Sequence, residues 1–389
     1  MFALSSTARR LCALALGALA LFTVSACQPG GAPGARIAPG APVPVALLVP
    51  RGSGENGDEV LAQSLENAAR LAMADLQGVQ IDLRVYGTAG NPEQARTAGL
   101  QAVSDGAKII LGPVYAESAN AVAVALASQN INVLSFSNNP IIARGNGNLF
   151  ILGHTFENAA DRLVRLAIER GKTRFMVIHS TDLSGQLGLQ AVEKAVLANG
   201  GTLVGAVSHE FSQNGVLQAV PQAVQMARDM APDAVFLTAN TAGALPLFSQ
   251  MLPEAGLSPV DIQFIGLSRW DIPAQTLALP GVQGGWFARP DTATSDQFRA
   301  RYKEAYAGDA HPIGGLAYDG IAAIGALAGS GTSLGAAGLT QSAGFQGTGG
   351  IFRFNSDGTN QRGLSVAQVV DSQALEIDPA PRSFGAMGF

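Results

Sequence analysis

From residue 43 onward, short apolar runs alternate with longer stretches whose apolar residues return every three or four positions. Residues 43–49 (VPVALLV) make the first run, of the kind that fills a strand buried on both faces. Residues 59–76 then carry Leu61, Leu65, Ala68, Ala69, Ala72 and Leu76 on one side, the spacing of a helix with one buried face. The alternation predicts further strands over 81–86, 108–111 and 133–136, with helices over 92–106 and 116–128. A second series follows: strands over 174–179, 202–207, 234–238 and 262–267, with helices over 185–199, 216–229 and 242–255. Short apolar strands separated by amphipathic helices imply parallel sheets covered on both faces. Beyond the second series come helices over 295–306 and 314–327, a strand entering the Asp357-Gly358 turn, and a strand over 364–370.

The pattern predicts an α/β chain with two doubly wound lobes. Lobe one is expected over 43–153 and 290–345, lobe two over 156–286 and 350–377, and a loose tail over 378–389. About 345 residues exceed the usual single-core size, in keeping with two lobes.

The first residues point to export. Arg9 and Arg10 precede an apolar run over 11–24, too short to be a comfortable permanent membrane span, and the run ends in Val24-Ser25-Ala26-Cys27. Small residues before a cysteine suit lipoprotein processing, which predicts a signal peptide over 1–26 and a lipid on Cys27. Gln28 beside the anchor, by the sorting rule of Gram-negative lipoproteins, directs the expectation to the outer membrane, facing the periplasm. Residues 27–42, rich in Pro, Gly and Ala, read as a tether of about 50 Å at roughly 3 Å per residue. With only Cys12 and Cys27 in the chain, the processed protein has no thiol for catalysis, cluster binding or an internal disulfide.

Net charge is −5, with no basic footprint for nucleic acid or anionic lipid. Gly52-Ser53-Gly54-Glu55-Asn56-Gly57 has the spacing of a dinucleotide loop, but the second strand ends in Val85-Tyr86-Gly87-Thr88 without the carboxylate a ribose needs. It reads as a flexible loop at a cleft mouth. The 4 histidines show no metal-ligand spacing, and no GxSxG elbow occurs, so no metal, cofactor or catalytic machinery is expected. His154, at a lobe crossing, and His179, at a strand end, are placed near a cleft.

Open α/β sheets bind ligands beyond the C-terminal ends of their strands. In the first lobe those ends offer Ser118, Ser135, Ser137 and Asn138. In the second they offer Asp182, Ser184, Asn240, Ser268, Arg269 and Trp270. Facing across a hinge, these groups predict a clamshell pocket.

The opening VALLVP and ENAARLAMADL, then the long segment from Asn91 to Ala123, AYDGIAAIGALA from Ala317 and FQGTGGIFRFNSDG from Phe345 together resemble the type I periplasmic-binding fold of the leucine-binding protein family. The resemblance runs over about 43–370 and implies three hinge segments, near 153–156, 287–290 and 346–349. It also implies a ligand carboxylate held near Ser118 and Ser135–Asn138. Where the family's amino-acid binders carry a tyrosine before a glycine, and an acid for the ammonium group, this chain has Ser184-Gly185 and Ser268-Arg269. Loss of the acid argues against ordinary amino-acid binding, because a buried unpaired charge is costly. The lipobox, tether and altered pocket look similar to the penicillin-binding protein activators, although the tether here runs straight into the first strand without a helical N-terminal domain. The sequence therefore favours a lipid-anchored regulator of peptidoglycan synthesis that contacts a penicillin-binding protein. The alternative is the substrate-binding component of an ABC importer, docking on a permease with an amino acid or small anionic ligand.

Overall fold

The computed structural model describes residues 35, 37, 38 and 40–386, so Cys27, the expected signal peptide and most of the tether lie outside the described residues. Five strands, β1 (Val43–Val49), β2 (Ile81–Gly87), β3 (Ile109–Leu111), β4 (Val133–Ser135) and β5 (Leu149–Ile151), form a parallel sheet in the order β2-β1-β3-β4-β5. Alternate residues of β1 enter different cores. Val45, Leu47 and Val49 pack with helices α1 (Asn56–Asp75) and α9 (Gly315–Gly329), while Ala46 and Leu48 pack with α2 (Pro92–Ser104) and α3 (Ala116–Leu126). That two-sided burial is why β1 reads as an unbroken apolar run.

The second sheet has seven strands. Its parallel part is β7 (Thr202–His209), β6 (Arg174–Ser180), β8 (Ala234–Leu237), β9 (Gln263–Gly266) and β10 (Trp286–Pro290); β14 (Leu364–Val370) and β15 (Gln373–Asp378) extend it antiparallel. Phe175 and Val177 face helices α4 (Phe156–Glu169) and α5 (Leu183–Ala198), and Met176 and Ile178 face α6 (Gln213–Met230) and α7 (Leu245–Glu254). Helix α8 (Thr292–Tyr306) returns the chain to lobe one, and its Tyr302 enters the first core.

The boundary expected at 350 moves. Strands β11 (Phe345–Gly347), β12 (Gly350–Phe354) and β13 (Asn360–Arg362) form a small antiparallel sheet whose Phe345, Phe352 and Phe354 join the first core, with Phe150 edge-on to Phe354 at 5.7 Å. Its turn covers the β5 edge, where Ile151 N–H donates to Gly358 O at 2.8 Å. The third crossing thus falls at Gly363, between β13 and β14, rather than at 346–349. The tail expected to be loose is docked as far as it is described: Asp378 pairs with Arg162 at 2.5 Å, and Phe384 is buried beneath the Arg353 guanidinium.

A buried polar network holds the crossings together. Arg362 pairs with Asp319 at 3.0 Å, both side chains almost wholly buried, and also donates to Leu152 O. Asp319 accepts from Thr348 N–H at 2.7 Å and Thr348 Oγ1 at 3.0 Å. Asn360 Nδ2 donates to Ile151 O at 2.8 Å and Gly153 O at 2.9 Å, while Asn158 accepts from the Arg362 amide at 3.0 Å. Gly153 is needed at the first crossing, because a Cβ there would collide with the carbonyl oxygens of Ser137 and Phe136.

Candidate ligand-binding cleft

The strands of lobe one end at the cleft. After β4 the chain runs Phe136-Ser137-Asn138-Asn139 into a short turn of helix, and Asn139 caps that turn by accepting from Ile141 N–H at 3.0 Å. Ser135 Oγ donates to Pro113 O at 3.1 Å and accepts from Ser137 N–H at 3.1 Å. It locks the β3 and β4 loops together rather than facing ligand. Ser137 Oγ accepts from Asn139 N–H at 3.1 Å, which leaves its own proton for a ligand. Opposite, α5 is capped by Asp182, which accepts from Gly185 N–H at 2.8 Å and Ser180 Oγ at 2.7 Å. Those bonds hold the Asp182 carboxyl below its ordinary range.

Between these ends lies a chamber of about 740 Å³, walled by Ser137, Asn138, Tyr115 and Phe136 from lobe one and by Ser184 and Leu187 from lobe two. Most of its wall is apolar. The Tyr115 hydroxyl donates to Asp58, which raises the phenol to about 12, so it meets a ligand as a neutral, pre-committed donor. Glu157 is the carboxylate on the wall, and it pairs with Lys194 at 3.3 Å.

A second chamber of about 190 Å³ adjoins the first, and His154 and Leu316 line both. Arg269 opens onto it, held by Asp271 through Nε at 2.8 Å and Nη2 at 2.6 Å. His154 is exposed where the two chambers meet, with protein groups crowded around it. That crowding, with Arg362 and Arg269 nearby, keeps its pKa well below the ordinary 6.5. Burial also lowers His311. The sign of the effect on folding follows directly. Below 6.5 the unfolded chain takes up a proton at His154 that the folded chain refuses, so stability should fall as pH falls through that window. Melting temperatures recorded from about pH 7.5 down to about pH 5 check this, and His154→Gln should flatten the decline.

Of the residues expected at the site, Ser137, Asn138 and Ser184 line the large chamber and Arg269 the small one. Ser118 is fully buried within α3, its Oγ without a partner among the described residues, and lines neither. Ser135 and Asp182 support the cleft loops. Asn240 stands exposed at the end of β8, its carbonyl accepting from Gly243 N–H at 3.2 Å, and with Ser268 it lines neither chamber. Trp270 is a correction: it is wholly buried in the lobe-two core beside Phe287, under Gly266 and Gly285. The Gly52–Gly57 loop, expected to be flexible, is bonded to α1 through Gly52 N–H and Glu59 at 2.6 Å. Sequence reasoning did not find Phe156, Leu187, Arg299, His311 or Leu316, whose place depends on how helices from two lobes meet.

The sequence profile described as periplasmic binding protein matches residues 42–374. The chain belongs to the periplasmic binding protein family. The fold is shared with solved proteins at low identity. A Rhodospirillum rubrum protein named as a candidate branched-chain amino acid ABC transporter is 20% identical, with a TM-score of 0.73 over 87% of this chain and 100% of that one. An ABC transporter substrate-binding protein from Desulfitobacterium hafniense, in complex with Leu, is 16% identical, with a TM-score of 0.62 over 87% and 100%. A solute-binding protein of an ABC transporter from Rhodopseudomonas palustris, in complex with 3,4-dihydroxybenzoic acid, is 18% identical, with a TM-score of 0.59 over 88% and 98%. No curated protein sequence matches. Two lobes joined by three crossings, with parallel sheets ending at a shared cleft, are the type I periplasmic-binding architecture.

Proposed function

We propose that this protein is the non-catalytic substrate-binding component of an ABC importer, anchored through Cys27 on the periplasmic side, and that its cargo is a small organic molecule held between the lobes. The observation that carries this reading is the chamber of about 740 Å³ whose walls come from both lobes, mostly apolar with a few directed polar groups. The two readings drawn from the sequence change order. The relatives of this fold described above are transporter proteins. The missing ammonium partner, which spoke for a regulator of peptidoglycan synthesis docking on a penicillin-binding protein, is met equally well by a cargo that has no ammonium group. Hydrogen exchange on the full-length protein, with and without small carboxylates and amino acids, tests the reading, since bound cargo slows exchange on both cleft walls.

A further inference from the structure

The small chamber has a lining unlike that of the large one. Among the described residues its titratable groups are Arg269, Arg299, His154 and His311, and no carboxylate lines it. They converge from separate elements: Arg269 from the β9–β10 connection of lobe two, Arg299 from α8, His311 from the α8–α9 loop of lobe one, and His154 from the first crossing. Each arginine is oriented by an aspartate of its own segment, Arg269 by Asp271 and Arg299 by Asp296. Neither aspartate lines the chamber. These pairings leave Nη1 of Arg269, and Nε and Nη1 of Arg299, as undirected donors. His311 Nδ1 accepts from Ile313 N–H at 3.4 Å, which puts the proton of the neutral ring on Nε2 as a further donor. Gly315 and Leu316, at the N-terminal end of α9, also line the chamber; that end has no side-chain cap, though the amides of Leu316 and Ala317 are bonded to Ile313 O and Gly314 O at 3.1 Å.

Cationic and N–H donors with no carboxylate among the described lining residues describe a place for an anion. We infer that the small chamber is an anion subsite, and that the cargo is an organic acid without an ammonium group. Its acidic group enters between Arg269 and Arg299, and its apolar body lies in the large chamber against Phe136, Phe156, Leu187 and Leu316. The inference rests on the reading that the cleft holds the cargo. Both parts of such a ligand fit one molecule, because the chambers meet at His154 and Leu316. An ammonium group finds no carboxylate among the described residues of the small chamber; Glu157, on the large chamber's wall, is shared with Lys194 at 3.3 Å. Paired guanidinium groups keep part of their pull on an incoming carboxylate, since Nη1 of Arg269 and Nε and Nη1 of Arg299 still have protons to donate.

Calorimetric titration of the full-length protein with four probes tests the subsite: 4-methyl-2-oxopentanoate, leucine, benzoate and benzamide. The first two share a body and differ in the ammonium group; the second two share a ring and differ in charge. At least one carboxylate should bind at least about tenfold more tightly than its partner. Arg269→Gln and Arg299→Gln should each weaken that carboxylate about tenfold or more, with Arg96→Gln, a surface charge on α2, within about twofold of the parent. Melting temperatures of the variants separate lost binding from lost folding. Leucine and benzamide each binding as tightly as its partner, or carboxylate affinity unmoved in both cleft variants, overturns the anion subsite while leaving the binding-protein reading in place. Silence from all four probes, with no exchange protection on either wall, overturns both.

Discussion

Asp319→Ala should cost about 3–5 kcal/mol of folding stability, measured by urea unfolding. The substitution leaves the Arg362 guanidinium buried with no anionic partner. That group cannot shed its charge, and removing one member of a buried pair exposes the desolvation penalty of the other. It also strips Thr348 of the acceptor for its amide and its hydroxyl. Because Arg362 also reaches Leu152 O at the first crossing, the damage falls where the lobes are joined. The pair Arg301–Asp75 supplies the contrast. At 2.5 Å it is tighter on paper, yet about a third of each side chain is exposed. Solvent screening limits such a pair to about 1 kcal/mol, so Asp75→Ala should be mild, its bond from Tyr318 included. Equal losses for the two variants would mean that the buried network does not brace the crossings.

Trp270→Ala should cost a similar amount, about 3–5 kcal/mol, with little change in cargo affinity per folded molecule. The indole is completely buried, close against Gly266 and Gly285, with its ring 6.2 Å from Phe287. Deleting it opens a cavity that two flanking glycines cannot fill. Trp270→Phe should recover most of the loss, since the indole Nε1 has no hydrogen-bond partner among the described residues to forfeit. Urea unfolding and titration on the same samples separate the effects. Normal stability with lost binding would return Trp270 to the cleft, where the strand-end argument first placed it.

That misplacement shows what a sequence can carry. The residues after a strand are polar and near the ligand on average, but a single aromatic among them is free to turn back into the core. Trp270 does so because Gly266 and Gly285 leave the room, and neither glycine marks itself in advance. The repeated strands and helices were legible because their burial is two-sided or one-sided and period follows burial. Helix α4 was readable and overlooked: Thr155 caps Asn158, and Ala160, Leu163, Val164 and Ala167 return at helical spacing. Strand β5, as short as β3 and β4, went unread with α4, since the helix that follows it is what sets so short a run in the alternation. Phe352 and Phe354 alternate as a strand should, but nothing local says which lobe's core receives them. Arg299 and His311 gave no signal at all, since they meet Arg269 only once two lobes are folded and hinged.

The central claim is that one small molecule is held between the two lobes. Hydrogen exchange with the carboxylate and amino-acid panel tests this most directly, read on residues 136–144 of lobe one and 183–191 of lobe two. The account predicts that a bound carboxylate slows exchange in both segments together, with saturation at the same ligand concentration. Protection confined to one lobe, or none with any member of the panel, would contradict it.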